Sequence, residues 1–340
     1  MGFLRRLLGR DTAAVDAAEQ ETREIVERMV KLSPQLGLAT QYQKRLGEAV
    51  GISLAYVSEL VNALPGAHEA SASAWSTDPA IHAFFATPDD VAHALSRSAS
   101  LRAHFEQNPL AREVFGVLGM TMTERCVFGT VQKGDTLLSD VAQTTVSFSD
   151  HQVRVCGATE AELRHEIVRR VLDQLTLEGI AKIEADASRR DLLKRERALL
   201  KARLQLLERQ GAGMGAMLGS GATVDFAELA HLQGQIDEND RNLAELGSQT
   251  DALDRQLETI RDVLAQPASH VYVTTKKLRL NRMNVVVEDA ASEDGAEIEF
   301  RVARIPASPA GMRAFSLVRF ARADLLTAPS LDDAARRLLI

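Results

Sequence analysis

Apolar residues recur at alternating steps of three and four along residues 225–266. A pattern of this kind, kept over about five heptads, predicts a long helix that packs lengthwise against another helix, as in a coiled coil. Asn239 is polar at a core position, which favours a role in fixing helix register. The predicted core consists of Leu229, Leu232, Ile236, Asn239, Leu243, Leu246, Thr250, Leu253, Leu257, Ile260 and Leu264.

A second long helix precedes this one in the sequence. Thr159 and Glu162 form a capping box, and the residues from there to Arg209 contain no proline. The first arm, 159–209, has 12 basic and 10 acidic residues, whereas 225–265 has 3 basic and 10 acidic residues. Arms of opposite charge bias favour pairing with each other. If the chain folds back around Met217, the expected contacts are Arg197 with Asp237, Lys194 with Asp240 and Arg189 with Glu245.

The stretch "GAGMGAMLGSGATVDF" lies between the two arms. A phosphate-binding loop follows a strand and ends in Gly-Lys-Ser/Thr, but this stretch follows a helix and contains no lysine. We therefore predict an antiparallel coiled-coil hairpin over 159–266 with its tip at 210–224. Methionine suits adaptable contacts, so Met214, Met217 and Leu218 are candidate partner contacts at this tip; a flexible linker is the alternative.

Alternating apolar and polar residues on both sides of the hairpin predict strands. Examples are "RCVFGTV", "TTVSFSDHQVRVC", "HVYVTTKKLRL", "NVVVED", "AEIEFRVARI" and "AFSLVRF". Lys133-Gly134-Asp135 and Ser149-Asp150-His151 are the expected turns. These strands predict a discontinuous β-rich domain made of 125–158 and 269–325.

Helical patterns occupy the rest of the chain. We predict a helical region at 11–64, a linker at 65–78, short helices within 79–124 and a C-terminal helix at 327–340. Asp78-Pro79, Thr87-Pro88 and Asn108-Pro109 each place a capping side chain before a proline, which predicts three helix starts. The expected fold class is α+β and helix-dominated, with an N-terminal helical region and a β-rich domain that the long hairpin interrupts.

Residues 1–10 read "MGFLRRLLGR" and form an amphipathic segment if helical. The apolar side chains would be Phe3, Leu4, Leu7 and Leu8, and the basic ones would include Arg5 and Arg6. Short basic amphipathic helices lie in anionic membrane interfaces, so these six residues are candidates for membrane or partner contact. Packing on the protein's own domain is the alternative. The sequence contains no apolar run long enough to span a bilayer and no export-signal pattern.

The stretch "LGEAVGISLAYVSEL", within 46–64, resembles the helix-turn-helix of the repressor family that includes the phage repressors. Gly47, Gly51 and Val57 match that family's small residue, turn glycine and buried β-branched residue. The resemblance implies DNA binding by Ser53 to Leu64, with Tyr56 and Ser58 as contacts. That segment carries no Lys or Arg and does carry Glu59.

Composition and motifs point away from most catalytic classes. The formal charge of −7 excludes a protein that is basic throughout and coats nucleic acid. Cys126 and Cys156 form no metal-binding pattern. His82, His93 and His104 recur every eleven residues, which would place them on one face of a continuous helix, but Pro88 interrupts that helix. No nucleotide, hydrolase or metalloprotease motif is present. We predict no metal and no cofactor. An anion site formed by Arg279, Arg282, Arg301 and Arg304 is the enzyme or ligand-binding alternative.

These patterns favour a non-enzymatic cytoplasmic scaffold or assembly protein, peripherally attached to the membrane through its N-terminus. Its partner would be a second copy or another protein bound through the hairpin. In outline the chain resembles the adaptor proteins of bacterial efflux and secretion systems, which are exported; the missing export segment argues against the same function. A DNA-associated regulator, with 46–64 binding DNA and the hairpin as oligomerisation element, is the main alternative.

Overall fold

The structure is a computed structural model of the chain, and it describes residues 19–133, 136–218, 226–246, 252–287, 295–306 and 311–327. Side chains are described in these ranges except at 131–138 and 210–226. The predicted C-terminal helix at 327–340 lies outside the described residues apart from residue 327.

The described chain is rich in helix and also contains one sheet. The helices are α1 (19–32), α2 (Tyr42–Asn62), α3 (Ala72–Trp75), α4 (Pro79–Phe84), α5 (Pro88–Ser96), α6 (Ala99–Gln107), α7 (Glu160–Leu218), α8 (Phe226–Glu245) and α9 (Ala252–Ala265). The strands are β1 (His68–Glu69), β2 (Glu113–Lys133), β3 (Thr136–Gly157), β4 (Tyr272–Leu280), β5 (Ala296–Arg304) and β6 (Met312–Ala321). The fold class is α+β and helix-dominated, as predicted.

The chain divides into two compact units. The first comprises Met1–Ile52 and Thr176–Ala265, and the second comprises Ser53–Leu175 and Gln266–Ile340. We call them the helical unit and the sheet unit. The sheet unit contains all six strands.

The sheet has the strand order β3-β2-β6-β5-β4. Neighbouring strands in this order are antiparallel. One edge of β6 is shared: β5 pairs with Met312–Phe315, and β1 pairs in parallel with Val318 and Arg319. The expected strand at "NVVVED" is described only as far as Val287, and there it forms isolated bridges, in which Val285 pairs with Thr145 and Val286 pairs with Leu280.

β2 and β3 form a long antiparallel ribbon, in which Lys133 pairs with Thr136. The turn residues 134 and 135 lie outside the described residues. The second expected turn, Ser149-Asp150-His151, is wrong because these residues lie inside β3. The register shifts there, since Gly119 pairs with Gln152 and Thr121 pairs with Ser149. Asp150 has a φ of 52°, a left-handed conformation that Asp tolerates and that serves a bulge as well as a turn.

The core of the sheet unit lies between the sheet and α4, α5 and α6. Phe84 of α4 makes an edge contact with Phe148 of β3, with ring centroids 5.0 Å apart, and Phe148 does the same with Phe300 of β5 at 5.3 Å. Val91, Leu95, Leu101 and Phe105 bring α5 and α6 into the same cluster. This packing places α4, α5 and α6 against the face of the sheet that carries Phe148 and Phe300.

Two of the three predicted proline-associated helix starts are confirmed. The Asp78 carboxylate accepts from the backbone of Ala80 and Ile81 at the start of α4, and Thr87 forms a capping box at the start of α5. Asn108-Pro109 starts no helix, because Asn108 ends α6 and the strand β2 follows from Glu113. The cap of α6 is Ser98, whose side chain accepts from Leu101.

The stretch 65–78, expected to be a linker, is folded. It contains β1 and α3, and Ala70 and Ala74 are buried. Trp75 donates from Nε1 to the carbonyl oxygen of Phe85 over 2.8 Å. Small residues allow this close packing, and in the sequence they resemble the composition of a linker.

Candidate helix-pairing surface

The first arm of the predicted hairpin is a single helix, α7. Thr159 accepts from the backbone N–H of Glu162, and Glu162 accepts from that of Ala158, so the predicted helix start is confirmed. The backbone stays helical to Leu218, beyond the residue at which the tip was expected to begin. The side chains of Met214, Met217 and Leu218 lie outside the described residues, as do residues 1–18 with the six proposed N-terminal contacts.

α7 and α8 pair in opposite directions within the helical unit. The Arg197 Nε lies 2.6 Å from Asp240 Oδ1, and Arg203 Nη2 lies 2.7 Å from Glu228 Oε1. Arg197 therefore pairs with Asp240 rather than with the predicted Asp237. Arg190 donates to the carbonyl oxygen of Leu246 at the end of α8. The charge bias indicated that the arms pair, and the predicted register differs from the observed one by three residues at Arg197.

The predicted core positions of the second arm are unequally buried. Leu232, Ile236, Asn239, Leu257, Ile260 and Leu264 are buried, whereas Leu229, Leu243 and Leu246 are half-buried. Leu253 is exposed. Thr250, the remaining predicted core position, belongs to residues 247–251, which lie outside the described residues. The second arm was predicted as one helix and is described as two, with α8 ending at Glu245.

Asn239 is 4% exposed and donates from Nδ2 to Glu196 Oε2 over 3.3 Å. Its Oδ1 is buried without a hydrogen-bond partner. A polar core residue that is only half satisfied lowers the stability of a helix pair and favours the one register in which a partner is available. Its proposed role in fixing register stays a prediction.

α7 also approaches α9 closely. A methyl group added at Gly179 would lie 2.8 Å from Ile260 Cγ1 and 3.2 Å from Ile260 Cα. On α2, Arg45 pairs with both Asp254 and Glu258 of α9, and the first of these contacts measures 2.6 Å. α9 is therefore held by apolar packing on one side and by ion pairs with α2 on another.

A second apolar line runs along α7 outside its pairing with α8. Leu192, Leu199 and Leu206 are 66%, 72% and 58% exposed. They are spaced by seven residues, so they lie on one side of the helix. Leu193, Leu200 and Leu207, each the next residue along, are half-buried. We call Leu192, Leu199 and Leu206 the leucine stripe.

Sequence reasoning missed the leucine stripe, although a signal was present. The pair Leu-Leu occurs three times at intervals of seven residues along α7. One leucine of each pair belongs to the hairpin core, and only one can do so, because consecutive helical residues point about 100° apart. The other leucine of each pair, which is the first in chain order, therefore had no place in the predicted hairpin.

Charged side chains flank the leucine stripe. Arg195, Glu196 and Arg203 are exposed, and each lies three or four residues from Leu199, which places them next to it on the helix surface. An exposed apolar line with charged flanks at heptad spacing is the surface that one coiled-coil helix presents to another. Chemically it suits helix packing and provides no catalytic group.

The helix-turn-helix expected at 46–64 is wrong. α2 is one continuous helix from Tyr42 to Asn62, so Gly51 lies inside a helix and forms no turn. The space beside Gly51 is open within 4 Å, and glycine inside a helix costs only about 1 kcal/mol. Tyr56, the proposed DNA contact, donates to the carbonyl oxygen of Val271 over 3.0 Å.

The proposed anion site is dispersed along β4 and β5. Arg279 donates to the Gly295 carbonyl oxygen, and Arg301 lies 2.6 Å from Glu299. Arg304 pairs in register with Tyr272, four pairs along the ladder from Lys276. Arg282 follows the end of β4. The four arginines are therefore spread along β4 and β5 and the residues that follow β4.

The histidines and cysteines singled out in the sequence are not brought together in the described part of the chain. His82, His93 and His104 lie on three different helices, α4, α5 and α6. Within the described ranges, no group of three potential ligands could hold a metal ion. Burial raises the pKa of the Cys156 thiol to about 11, so it carries little thiolate at neutral pH.

Comparison with known protein families, with curated proteins and with solved structures finds no match for this chain. Over the described residues, no helix is both long and apolar enough to cross a bilayer.

Proposed function

We propose that this protein is a non-enzymatic coiled-coil scaffold, which assembles with other helical proteins through the leucine stripe of α7. The observation that supports this proposal is the exposure of Leu192, Leu199 and Leu206 at heptad spacing. Leaving three leucines in water forgoes about 1.5–3 kcal/mol for each side chain that a partner could bury.

The two helices of the hairpin support the same proposal in different ways. The pairing of α7 with α8 uses one face of α7, as the contacts Arg197–Asp240 and Arg203–Glu228 show. The leucine stripe lies on another part of the same helix, so a partner can bind without opening the hairpin. A scaffold needs this combination of a closed internal pair and a free external surface.

We propose further that the protein works in the cytoplasm at the inner face of a membrane. The support is the amphipathic pattern of residues 1–10, in which Arg5 and Arg6 accompany apolar residues. Basic residues near an anionic surface add about 1 kcal/mol each to binding. This attachment would concentrate the scaffold on one surface.

To test the assembly proposal, cells that produce the protein from its own gene are lysed under non-denaturing conditions. The mass of the complex that contains the full chain is then measured. We expect a complex larger than the single chain. The triple variant Leu192→Glu, Leu199→Glu, Leu206→Glu should migrate at the single-chain mass, because three carboxylates oppose burial of the stripe.

The matched control is Leu110→Glu, which makes the same chemical change at a leucine that is 95% exposed in the sheet unit. It should leave the mass of the complex unchanged. A triple variant that retains the wild-type mass, or a wild-type chain that migrates alone, contradicts the proposed function.

A further inference from the structure

We infer that the partner of the leucine stripe is the stripe of a second copy of this chain, with Leu199 packed against Leu199 of that copy. The inference rests on the proposed function and names its partner. The symmetry of the stripe and the charges beside it both support this pairing.

The stripe is centred on Leu199. Leu192 and Leu206 lie seven residues before and after it, which is about 10.5 Å in each direction along the helix. The positions one heptad further out are Ala185 and Gly213. A two-fold axis that runs between two copies and keeps Leu199 opposite Leu199 therefore places the whole leucine stripe of one copy against that of the other, as an interface between identical chains requires.

The flanking charges complement themselves. Glu196 precedes Leu199 by three residues, Arg195 precedes it by four, and Arg203 follows it by four. When two copies pack antiparallel, Glu196 of one lies at the level of Arg203 of the other. When they pack parallel, Glu196 lies at the level of the other copy's Arg195. Both two-fold arrangements place opposite charges together, beside the contacts that Arg203 makes with Glu228 and Glu196 makes with Asn239 inside the hairpin.

A partner of a single charge sign fits less well. An acidic helix would place like charges beside Glu196, and a basic helix would do so beside Arg195 and Arg203. Like charges that face each other across a helix interface disfavour pairing. The mixed flank of the leucine stripe matches its own copy in sign as well as in shape.

The test uses the purified full chain in sedimentation equilibrium over a concentration series. We expect the wild type to change from one to two chains, and Leu199→Glu to weaken association at least about a hundredfold, because the two-fold axis brings two carboxylates together. Leu110→Glu should associate like the wild type. Far-UV circular dichroism checks that each variant is folded.

Cross-linking tests the contact itself. In a background with Cys126→Ser, Leu199→Cys should form a disulfide-linked dimer under mild oxidation, and Leu110→Cys should remain a single chain. A purified wild type that is monomeric throughout, a dimer that Leu199→Glu leaves intact, or failure of Leu199→Cys to cross-link overturns the inference. If the purified chain is monomeric but the lysate complex still depends on the stripe, the proposed function stands and a second copy is excluded as partner.

Discussion

Arg164 of α7 donates from Nη1 to the carbonyl oxygen of Val61 near the end of α2, over 2.5 Å. Its Nη2 also donates to the carbonyl oxygens of Leu64 and Pro65, each at 3.0 Å, and Glu160 holds the guanidinium group at 2.7 Å. The last carbonyl groups of a helix lack partners within the helix. One side chain therefore caps α2 and ties it to α7 inside the sheet unit.

Replacing Arg164 by methionine should lower the free energy of unfolding by about 2 kcal/mol, since the carbonyl groups lose their partner where the side chain is largely buried. Urea unfolding measures the change. Arg170→Met is the matched control: Arg170 pairs with Glu166 on the same helix and is 58% exposed, so it should cost less than about 0.5 kcal/mol. Equal effects of the two substitutions would contradict the capping role.

Two glycines of the helical unit should respond in opposite directions to alanine. Gly179→Ala places a methyl group against Ile260 and should destabilise the protein by about 1–3 kcal/mol through overpacking. Gly234 of α8 has open space within 4 Å, so Gly234→Ala should stabilise by about 0.5–1 kcal/mol because alanine favours helix. Thermal unfolding of both variants gives the sign directly. Stabilisation by Gly179→Ala would rule out the close approach of α7 and α9.

His151 should make stability depend on pH. Burial lowers the pKa of its imidazole below the usual value of 6.5, while Nε2 lies 2.8 Å from the Phe84 carbonyl oxygen and the ring stacks on Phe85. The unfolded chain then binds the proton more readily than the folded chain does. This contribution is complete above about pH 6.5 and is lost as the pH falls through the folded-state pKa.

The measurement compares unfolding of the wild type and His151→Gln at about pH 7.5 and pH 5.5. Glutamine keeps an N–H donor for Phe84 and cannot titrate, so the variant should lose less stability on acidification than the wild type. His93→Gln, at an exposed position of α5, should retain the wild-type dependence. If His151→Gln and the wild type lose stability equally, the buried imidazole is not responsible.

The proposed membrane attachment predicts a difference between two chains. The full chain should sediment with anionic liposomes at low salt and be released by added salt, because basic residues bind anionic lipid through screened charge. A chain that begins at Asp11 should stay in the supernatant. Liposomes of neutral lipid are the control and should retain less of the full chain. If both chains sediment equally with the anionic liposomes, lipid binding lies outside residues 1–10. If neither chain sediments, the proposed attachment is contradicted.

Local signals in the sequence predicted helix starts and helix pairing well. Asp78, Thr87 and Thr159 act within one turn of their own position, so neighbouring residues decide their role. Asn108-Pro109 looks the same locally, yet the following residues enter the sheet because β2 pairs with β6. The competing partner lies some two hundred residues away, and no local pattern reports it.

The errors in the site have a similar cause. Gly51 is compatible with both a turn and a helix interior, and Asp150 is compatible with both a turn and a bulge. In each case tertiary packing, rather than the local sequence, decides which conformation is adopted. The leucine stripe was visible as repeated Leu-Leu pairs, but a heptad pattern does not show which of two adjacent apolar positions faces the internal partner. The arrangement of Arg197 with Asp240 resolves this choice.

The pairing of β1 and β2 with β6 also limits how far the sheet can fold while the chain is being synthesised. β1, β2 and β3 leave the ribosome long before β6, which ends at Ala321. Until then β2 lacks its second neighbour, and a strand with an open edge can pair with other chains. Sequence-distant strand pairs form slowly, so a chain whose translation stops before β6 should aggregate, and the sheet can be completed only after β6 has been synthesised.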